Sequence, residues 1–288
     1  MKYSVVIATK DRAALLDGAL SSLRAQQNAP EYELVVVDNG SSDTTRAVAD
    51  KHGAVYAFVK EPNRGKARNA GIARATGDVI VFVDDDVVVP PHFLRAHAGA
   101  HDADIFPLAV SGPILNVPDA AHRPVPTAAN VSRAFFVTCN VSVRAASLRA
   151  VHGFDEDFDL YGWEDTELGA RLREHGVRRA FAWDAYLWHI KPPTPESLED
   201  ALDKAIQKAR MAARFVRKMP STRVKLATGA YALNLLRARI LAPAAVQPLW
   251  AGLATSARVP PALANLARAA LLDSVYTEEL DRRLHGRT

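Results

Sequence analysis

Four short apolar runs, separated by stretches with helical spacing, constrain the fold of this chain more than any other feature. The runs are rich in valine and isoleucine and are continuous, not alternating with polar residues, which is typical of strands covered by helices on both faces. Their alternation with helices predicts a doubly wound, mainly parallel α/β sheet. The predicted strands are Tyr3–Ala8, Glu33–Val37, Ala54–Val59 and Val79–Val83, and the predicted helices are Leu15–Leu23, Thr44–Lys51 and Lys66–Ala75.

Carboxylates follow two of these predicted strands. Asp38 ends the second strand, and three consecutive aspartates, residues 84–86, end the fourth. Ligands of such sheets bind beyond the carboxyl ends of the strands. Three adjacent carboxylates repel one another unless a cation is bound, and Mg²⁺ or Mn²⁺ takes carboxylate oxygens together with substrate phosphates. The pattern favours a metal–diphosphate site over its alternative, a solvated acidic loop that caps a helix.

Several function classes are excluded or disfavoured by what the sequence lacks. The composition, 49% hydrophobic and 24% charged, excludes a disordered or fibrous chain. A single cysteine, Cys139, excludes a disulfide framework. Neither a G-x-G-x-x-G fingerprint after the first strand nor a P-loop is present, which disfavours a dehydrogenase or P-loop enzyme. No uncharged apolar run reaches the roughly 18–20 residues of a spanning helix, so we expect a cytoplasmic protein.

Six short motifs occur in order along about residues 1–190. They are Ser4–Arg12, Val35–Asp43, Asn63–Gly71, Val81–Asp86, Gly153–Glu156 and Gly162–Leu168. In these residues the chain resembles the family 2 glycosyltransferases. The resemblance implies a GT-A fold and inverting transfer of a sugar from a nucleotide-diphosphate donor, UDP-, dTDP- or GDP-linked, to an acceptor hydroxyl. It does not extend to the C-terminal third.

The resemblance also implies roles for individual residues. Asp86 is the expected ligand of Mn²⁺ or Mg²⁺, with Asp84 beside it, and His189 lies where some family members place a further metal ligand. Asp165 is similar to the base that deprotonates the acceptor, and Glu164 is expected to bind acceptor or donor sugar. The residues expected to bind the donor are Thr9, Arg12, Asp38, Asn39, Arg68, Asp84, Asp85 and Trp163.

Each role has a structural alternative. Asp38 could begin an Asx turn, and Asp165 could be a first-turn carboxylate favoured by the helix dipole. Trp163 could be a core aromatic instead of a platform for a sugar ring, and His189 could be a structural histidine. We expect Cys139 to pack against its neighbours and not to act as a nucleophile.

The charge distribution divides the chain. Residues 1–195 carry 21 basic and 24 acidic residues, whereas residues 196–288 carry 15 basic and 8 acidic ones. We expect a catalytic domain at 1–195, with a nucleotide-sugar half at about 1–106 and an acceptor half at about 127–190. Residues 107–126 are expected to form an irregular surface connection or lid. A stiff break at Pro192–Pro195 precedes a basic helical region at 196–288.

The basic region contains one strongly amphipathic helix pattern. Its apolar face is formed by Leu202, Ala205, Ile206, Ala209, Ala212, Ala213 and Val216, and Lys and Arg residues occupy the other face. The basic face could be a plain solvated surface or could bind an anionic membrane or a lipid-diphosphate acceptor. Apolar patches further on suit interfacial or homodimer contacts. Nucleic-acid binding is disfavoured because aromatic residues do not interleave with the basic ones.

The leading functional hypothesis is a metal-dependent, inverting glycosyltransferase. Its acceptor could be a glycan, a lipid-linked intermediate or a metabolite. A nucleotidyltransferase is the alternative enzyme class, but the Gly-rich loop that it requires is missing after the first strand. A non-catalytic, nucleotide-sugar-binding scaffold is the third hypothesis, and the complete set of carboxylates argues against it.

Overall fold

The computed structural model describes residues 1–132, 134–191, 196–241 and 243–286. Contacts divide the chain into two units. Unit 1 contains Met1–Asp159 and Glu164–Pro193, and unit 2 contains Leu160–Trp163 and Thr194–Thr288. The predicted break at Pro192–Pro195 lies outside the described residues.

Unit 1 is built on two sheets flanked by helices. Its strands are β1 (Tyr3–Thr9), β2 (Tyr32–Asp38), β3 (Val55–Phe58), β4 (Val79–Val83), β5 (Val87–Val88), β6 (Leu108–Ser111), β7 (Ile114–Val117), β8 (Asn140–Arg144), β9 (Arg178–Phe181) and β10 (Leu187–Ile190). Its helices are α1 (Ala13–Arg24), α2 (Thr45–Lys51), α3 (Arg64–Arg74), α4 (Phe93–Asp102), α5 (Ala145–Ala150) and α6 (Glu164–Glu174).

The larger sheet has seven strands in the order β3-β2-β1-β4-β8-β6-β9, and the smaller has the order β5-β10-β7. Only β8 runs antiparallel in the larger sheet, against β4 and β6. The expectation of a mainly parallel, doubly wound sheet is confirmed.

Alternate residues of the central strands face opposite layers of helices. Val5 and Ile7 of β1 pack in the cluster that contains Leu16 and Leu20 of α1. Val6 packs in the second cluster, with Ala67 of α3. Because both faces of the sheet are buried, the strands read as continuous apolar runs.

The expectation of an irregular connection at residues 107–126 is wrong for its first half, where β6 and β7 form and are mostly buried. Pro107 and Pro113 precede these strands, and their position outside the strand interiors leaves the backbone pairing intact.

Unit 2 is helical. Its helices are α7 (Leu198–Lys218), α8 (Thr222–Thr228), α9 (Ala232–Leu241), α10 (Gln247–Thr255) and α11 (Pro261–His285). The apolar face predicted for α7 is buried or half-buried throughout. Ala209 and Ala212 pack with Leu235 of α9 and Leu280 of α11 in the core of this unit. Among the described residues, no helix has both the length and the apolar character needed to cross a membrane.

Candidate active site

The carboxyl ends of β1, β2 and β4 lie side by side, because these strands are parallel and adjacent. Thr9, at the end of β1, is in register with Asp38 at the end of β2. Thr9 Oγ1 donates a hydrogen bond of 2.7 Å to Asp85 Oδ2, directly beyond β4. The two acidic strand ends predicted from the sequence therefore meet at one edge of the sheet.

Asp38 is buried, and both of its carboxylate oxygens accept hydrogen bonds. Oδ1 accepts from the backbone N–H of Ser41 at 2.7 Å, and Oδ2 accepts from the Tyr56 hydroxyl at 2.7 Å. Asn39 Oδ1 accepts from the Asn63 backbone N–H at 2.9 Å, which joins this loop to the start of α3. The Asp38 carboxylate thus holds the loop that follows β2, through Ser41 on one oxygen and Tyr56 on the other.

The three aspartates after β4 have different surroundings. Arg12 Nη1 lies 3.1 Å from Asp85 Oδ1 and 3.1 Å from Asp86 Oδ2. Burial raises the pKa of Asp84, although the charge of Arg68 lowers it. Burial also raises the pKa of Asp85, although the hydrogen bond from Thr9 lowers it. Burial acts in the same direction on Asp86, but the adjacent imidazole of His189 holds the pKa of Asp86 below its ordinary value.

His189 reaches the aspartates through the smaller sheet. It lies opposite Val87 in the antiparallel pair of β10 and β5, and the Ile190 N–H donates to the Asp86 carbonyl at 2.8 Å. His189 Nε2 is 2.9 Å from Asp86 Oδ1 and 3.9 Å from Asp84 Oδ2. Backbone pairing therefore places this imidazole against the carboxylates.

A second cluster surrounds Arg68 of α3. Its Nη1 is 3.2 Å from Glu164 Oε1 and 3.3 Å from Asp165 Oδ1, at the start of α6. Asp165 Oδ2 accepts hydrogen bonds of 2.9 Å from both the N–H and the hydroxyl of Thr138. Burial and the neighbouring Asp165 raise the pKa of Glu164, against the effect of Arg68. The two adjacent carboxylates are thus held differently, and Thr138 orients only Asp165.

The two clusters belong to one electrostatic system. Burial has the largest effect and raises the pKa of Asp84. The charge of Arg68 lowers this pKa, and the charges of Asp86 and Asp165 raise it. Asp84 therefore responds both to the carboxylates near His189 and to the pair held by Arg68.

Comparison with known proteins agrees with this arrangement. Residues 4–127 match the sequence model of glycosyl transferase family 2, and residues 127–191 match one described as the N-terminal domain of galactosyltransferase. A validoxylamine A glucosyltransferase from Streptomyces hygroscopicus subsp. limoneus is 34% identical over 262 residues, which cover 76% of this chain. The chain belongs to glycosyltransferase family 2. The match spans 57% of the length of this Streptomyces relative.

Two solved structures show the same fold as this chain. The mannosyltransferase PcManGT from Pyrobaculum calidifontis, in complex with GDP-Man and Mn²⁺, has a TM-score of 0.64 at 19% identity and covers 99% of this chain and 88% of its own. TarS from S. aureus has a TM-score of 0.58 at 20% identity and covers 98% of this chain and 55% of its own. These likenesses confirm the expected GT-A type of fold.

The residues of this family 2 member fit a divalent cation. Asp86 Oδ1 is buried, and among the described residues no donor meets it with hydrogen-bonding geometry, although His189 Nε2 is 2.9 Å away. Asp84, Cys139 and His189 each place one potential ligand atom within 4.8 Å of the others. Carboxylate oxygens with one imidazole suit Mn²⁺, and the oxygens alone suit Mg²⁺. Burial raises the pKa of the Cys139 thiol well above its ordinary value, which argues against a thiolate nucleophile.

Trp163 belongs to unit 2. Its indole N–H donates to the Lys208 carbonyl at 3.0 Å, and its ring lies 6.1 Å from that of Phe215. Its backbone φ of +73° is rare for a bulky residue. The indole therefore makes packing contacts within unit 2.

Two side-chain contacts that hold the site were not predicted from the sequence. One is the hydrogen bond to Asp165 from Thr138, which lies in a segment, Thr138–Asn140, that resembles the floor of the donor site, and the other is the hydrogen bond to Asp38 from Tyr56. Thr138 precedes β8 and is 27 residues from Asp165, and Tyr56 is 18 residues from Asp38. Neither contact follows from a local pattern.

Proposed function

We propose that the protein is a metal-dependent, inverting glycosyltransferase that moves a sugar from a nucleotide-diphosphate sugar to an acceptor hydroxyl. The observation that carries this proposal is Asp165, whose carboxylate is fixed by Thr138 and Arg68 in the same electrostatic system as Asp84 and Asp86. An oriented base beside a donor set for a cation is what sugar transfer from a diphosphate requires.

Asp165 is the proposed base. The hydrogen bonds from Thr138 and Arg68 use three of about four acceptor positions of the carboxylate, and Oδ1 keeps the capacity to take the acceptor proton. Glu164, whose pKa burial raises, is suited to hydrogen bonding with a sugar hydroxyl. Attack by the deprotonated hydroxyl opposite the leaving diphosphate inverts the anomeric carbon.

Asp86, Asp84 and His189 would hold the cation. When bound, Mn²⁺ or Mg²⁺ supplies a Lewis acid for the developing charge on the leaving diphosphate. Arg12 keeps Asp85 and Asp86 in place through its two contacts of 3.1 Å. Asp38 and Asn39 would bind the nucleoside, because they form the loop at the end of β2.

The relatives indicate which substrates to test first. The Streptomyces relatives are named for glucosyl transfer to validoxylamine A, and the solved neighbours were determined with GDP-Man or UDP-GlcNAc. UDP- and GDP-linked sugars, with validoxylamine A as the first acceptor, are therefore the first set. A donor with its metal should raise the melting temperature, because it binds the native state.

The decisive test is transfer by Asp165→Asn. Loss of the base should lower kcat by about 10²–10⁴-fold while the thermal shift with donor remains. Glu174→Gln, at the exposed end of α6, is the matched control and should retain activity. Unchanged transfer by Asp165→Asn would exclude this base.

Release of diphosphate instead of a nucleoside diphosphate would indicate a nucleotidyltransferase, and binding without turnover would indicate a scaffold. The anomeric configuration of the product tests inversion.

A further inference from the structure

Exposed aliphatic side chains concentrate in unit 2. Every exposed leucine of the described residues lies between positions 226 and 266. The set, which includes one isoleucine, spans α8 to α11: Leu226, Leu233, Leu236, Ile240, Leu249, Leu263 and Leu266. Unit 1 buries its leucines in the two layers that cover the sheet or leaves them half-buried. Such a concentration of large exposed side chains indicates a contact surface.

Helix α9 shows the arrangement most clearly, because it is apolar on two opposite sides. Leu235 and Ala238 are buried, and Leu235 packs in the core of unit 2. Leu233, Leu236 and Ile240 are spaced three and four residues apart, share the other side, and are 74%, 51% and 66% exposed. The buried side accounts for the fold of this helix, so the exposed side needs a different explanation.

The sequence of this region is positive as far as the middle of α11, whose second half carries Asp273, Glu278, Glu279 and Asp281. From Lys204 to Leu272 there are twelve Lys and Arg residues and no carboxylate. The basic face of α7 is engaged within unit 2, where Arg210 pairs with Glu279 and Arg217 donates to the Arg283 carbonyl. Arg223 and Lys225 of α8, beside Leu226, are exposed. These two cations of α8 are therefore available to an outside partner, whereas the basic face of α7, which the sequence pattern favoured, is engaged within unit 2.

We propose that α8–α11 form a surface that binds the interface of an anionic lipid bilayer; we call it the α8–α11 surface. Leucine and isoleucine side chains enter the boundary between headgroups and acyl chains, and Arg223 and Lys225 meet anionic headgroups. The protein lies on the bilayer through this surface. The inference does not depend on the proposed sugar transfer.

Charge and side-chain type favour a bilayer over other occupants. A symmetric dimer through this surface would bring two copies of one net positive patch together, because two-fold interfaces repeat the same patch on both subunits. Single-stranded nucleic acid is bound by aromatic stacking, whereas these side chains are aliphatic. An anionic bilayer satisfies both the positive charge and the aliphatic side chains.

Vesicle sedimentation of the full chain tests the proposal. Vesicles of phosphatidylcholine alone are compared with vesicles that contain about 30% phosphatidylglycerol, at low and high salt. We expect at least about tenfold stronger partition onto the anionic vesicles at low salt, and weaker partition at high salt. The variant Leu233→Gln/Leu236→Gln/Ile240→Gln should lose about tenfold or more, and Arg223→Gln/Lys225→Gln should lose about tenfold, on anionic vesicles.

The control variant is Ile105→Gln/Val125→Gln, which replaces side chains of unit 1 that are 91% and 75% exposed. It should partition like the wild type. Circular dichroism and the melting temperature confirm that each variant folds, which is expected because the altered side chains are exposed. Absence of binding to anionic vesicles at low salt, or equal binding by the triple variant, would overturn the proposal. So would a dimer in sedimentation velocity that the triple variant separates, without vesicle binding by either protein.

Discussion

At the scale of single residues, the phenol of Tyr56 is the side-chain donor to one oxygen of the buried Asp38 carboxylate. Tyr56 donates to Asp38 Oδ2 at 2.7 Å, and burial together with this hydrogen bond raises the pKa of Tyr56 to about 12. The phenol therefore remains a proton donor at any pH at which the protein would be assayed. Asp38 is only 3% exposed, so water cannot easily replace the lost donor.

Tyr56→Phe should lower the free energy of unfolding by about 1.5–3 kcal/mol, because it removes a hydrogen bond to a charged, buried acceptor. Tyr32→Phe is the matched control, since the Tyr32 hydroxyl donates to the neutral carbonyl of Leu23 at 2.8 Å. Tyr32→Phe should lower the free energy of unfolding by about 0.5–1.5 kcal/mol. Urea unfolding measures both, and a smaller loss for Tyr56→Phe than for Tyr32→Phe would contradict the ranking.

Thr138 offers a second test at this scale. Thr138→Val removes the hydroxyl that binds Asp165 Oδ2 but keeps the backbone donor and nearly the same volume. We expect kcat to fall about tenfold with the KM for donor little changed, because the base is misplaced and donor binding is not. Thr138→Ser should restore most of kcat. A fall in stability without a change in kcat would show a purely structural role.

These two residues also show where prediction from sequence stops. Asp38, Asp84, Asp86 and Asp165 follow from strand ends and motif order, which are local. The contacts of Thr138 with Asp165 and of Tyr56 with Asp38 depend on the pairing of strands and the placement of α6. The periodicity of the sequence does not predict that pairing. The contact of such a side chain with a distant partner is therefore found in the structure and not in the pattern.

At the scale of elements, the close packing of α3 on the sheet rests on a glycine. A Cβ at Gly71 would lie 2.4 Å from Val6 Cγ1 of β1 and 3.2 Å from Val37 Cγ2 of β2. Gly18, in the middle of α1, has no atom within 4 Å of such a Cβ. We therefore expect substitution by alanine to lower the stability of the protein at Gly71 and to raise it at Gly18.

Gly71→Ala should destabilise the protein by about 1–2 kcal/mol, because overpacking of about 1–3 kcal/mol exceeds the gain of up to about 1 kcal/mol in helix propensity. Gly18→Ala should stabilise it by about 0.5–1 kcal/mol, since only the propensity changes. Thermal or urea unfolding of both variants gives the comparison. Equal signs for the two substitutions would contradict the packing argument.

The same scale explains which elements were predictable. The long strands β1, β2 and β4 are buried on both faces, so their apolar runs are unambiguous. The strands β6 and β7 have four residues each and lie beside prolines, so the sequence around them resembles a loop. Their strand character follows from pairing with distant partners: β6 pairs with β8 and β9, and β7 pairs with β10.

At the scale of the whole molecule, two histidines of α4 are buried against the sheet. His97 Nδ1 is 2.8 Å from Ser142 Oγ and His97 Nε2 is 3.1 Å from Asn140 Oδ1, while His101 Nε2 is 2.9 Å from Ser142 Oγ. Burial lowers the pKa of His97 to about 3 and that of His101 to about 4. Both imidazoles are therefore neutral in the folded protein at neutral pH.

This burial makes the stability of the protein sensitive to acid. An unfolded histidine binds its proton near pH 6.5, whereas the folded ones do not until about pH 4 or below, so the unfolded state gains protons first as the pH falls. The stabilisation is complete above pH 6.5 and is lost on acidification. Each histidine should lower the free energy of unfolding by about 2 kcal/mol when the pH falls from 7 to 5.

His101→Gln should therefore remove about 2 kcal/mol of the loss between pH 7 and pH 5, because glutamine keeps a donor toward Ser142 and does not titrate. His175→Gln, at an exposed position after α6, is the control and should leave the pH dependence nearly unchanged. Urea unfolding at a series of pH values measures the slope. If His101→Gln and the wild type lose stability in parallel, acid sensitivity arises elsewhere, and the buried pair on α4 is not the group that limits the folded molecule at low pH.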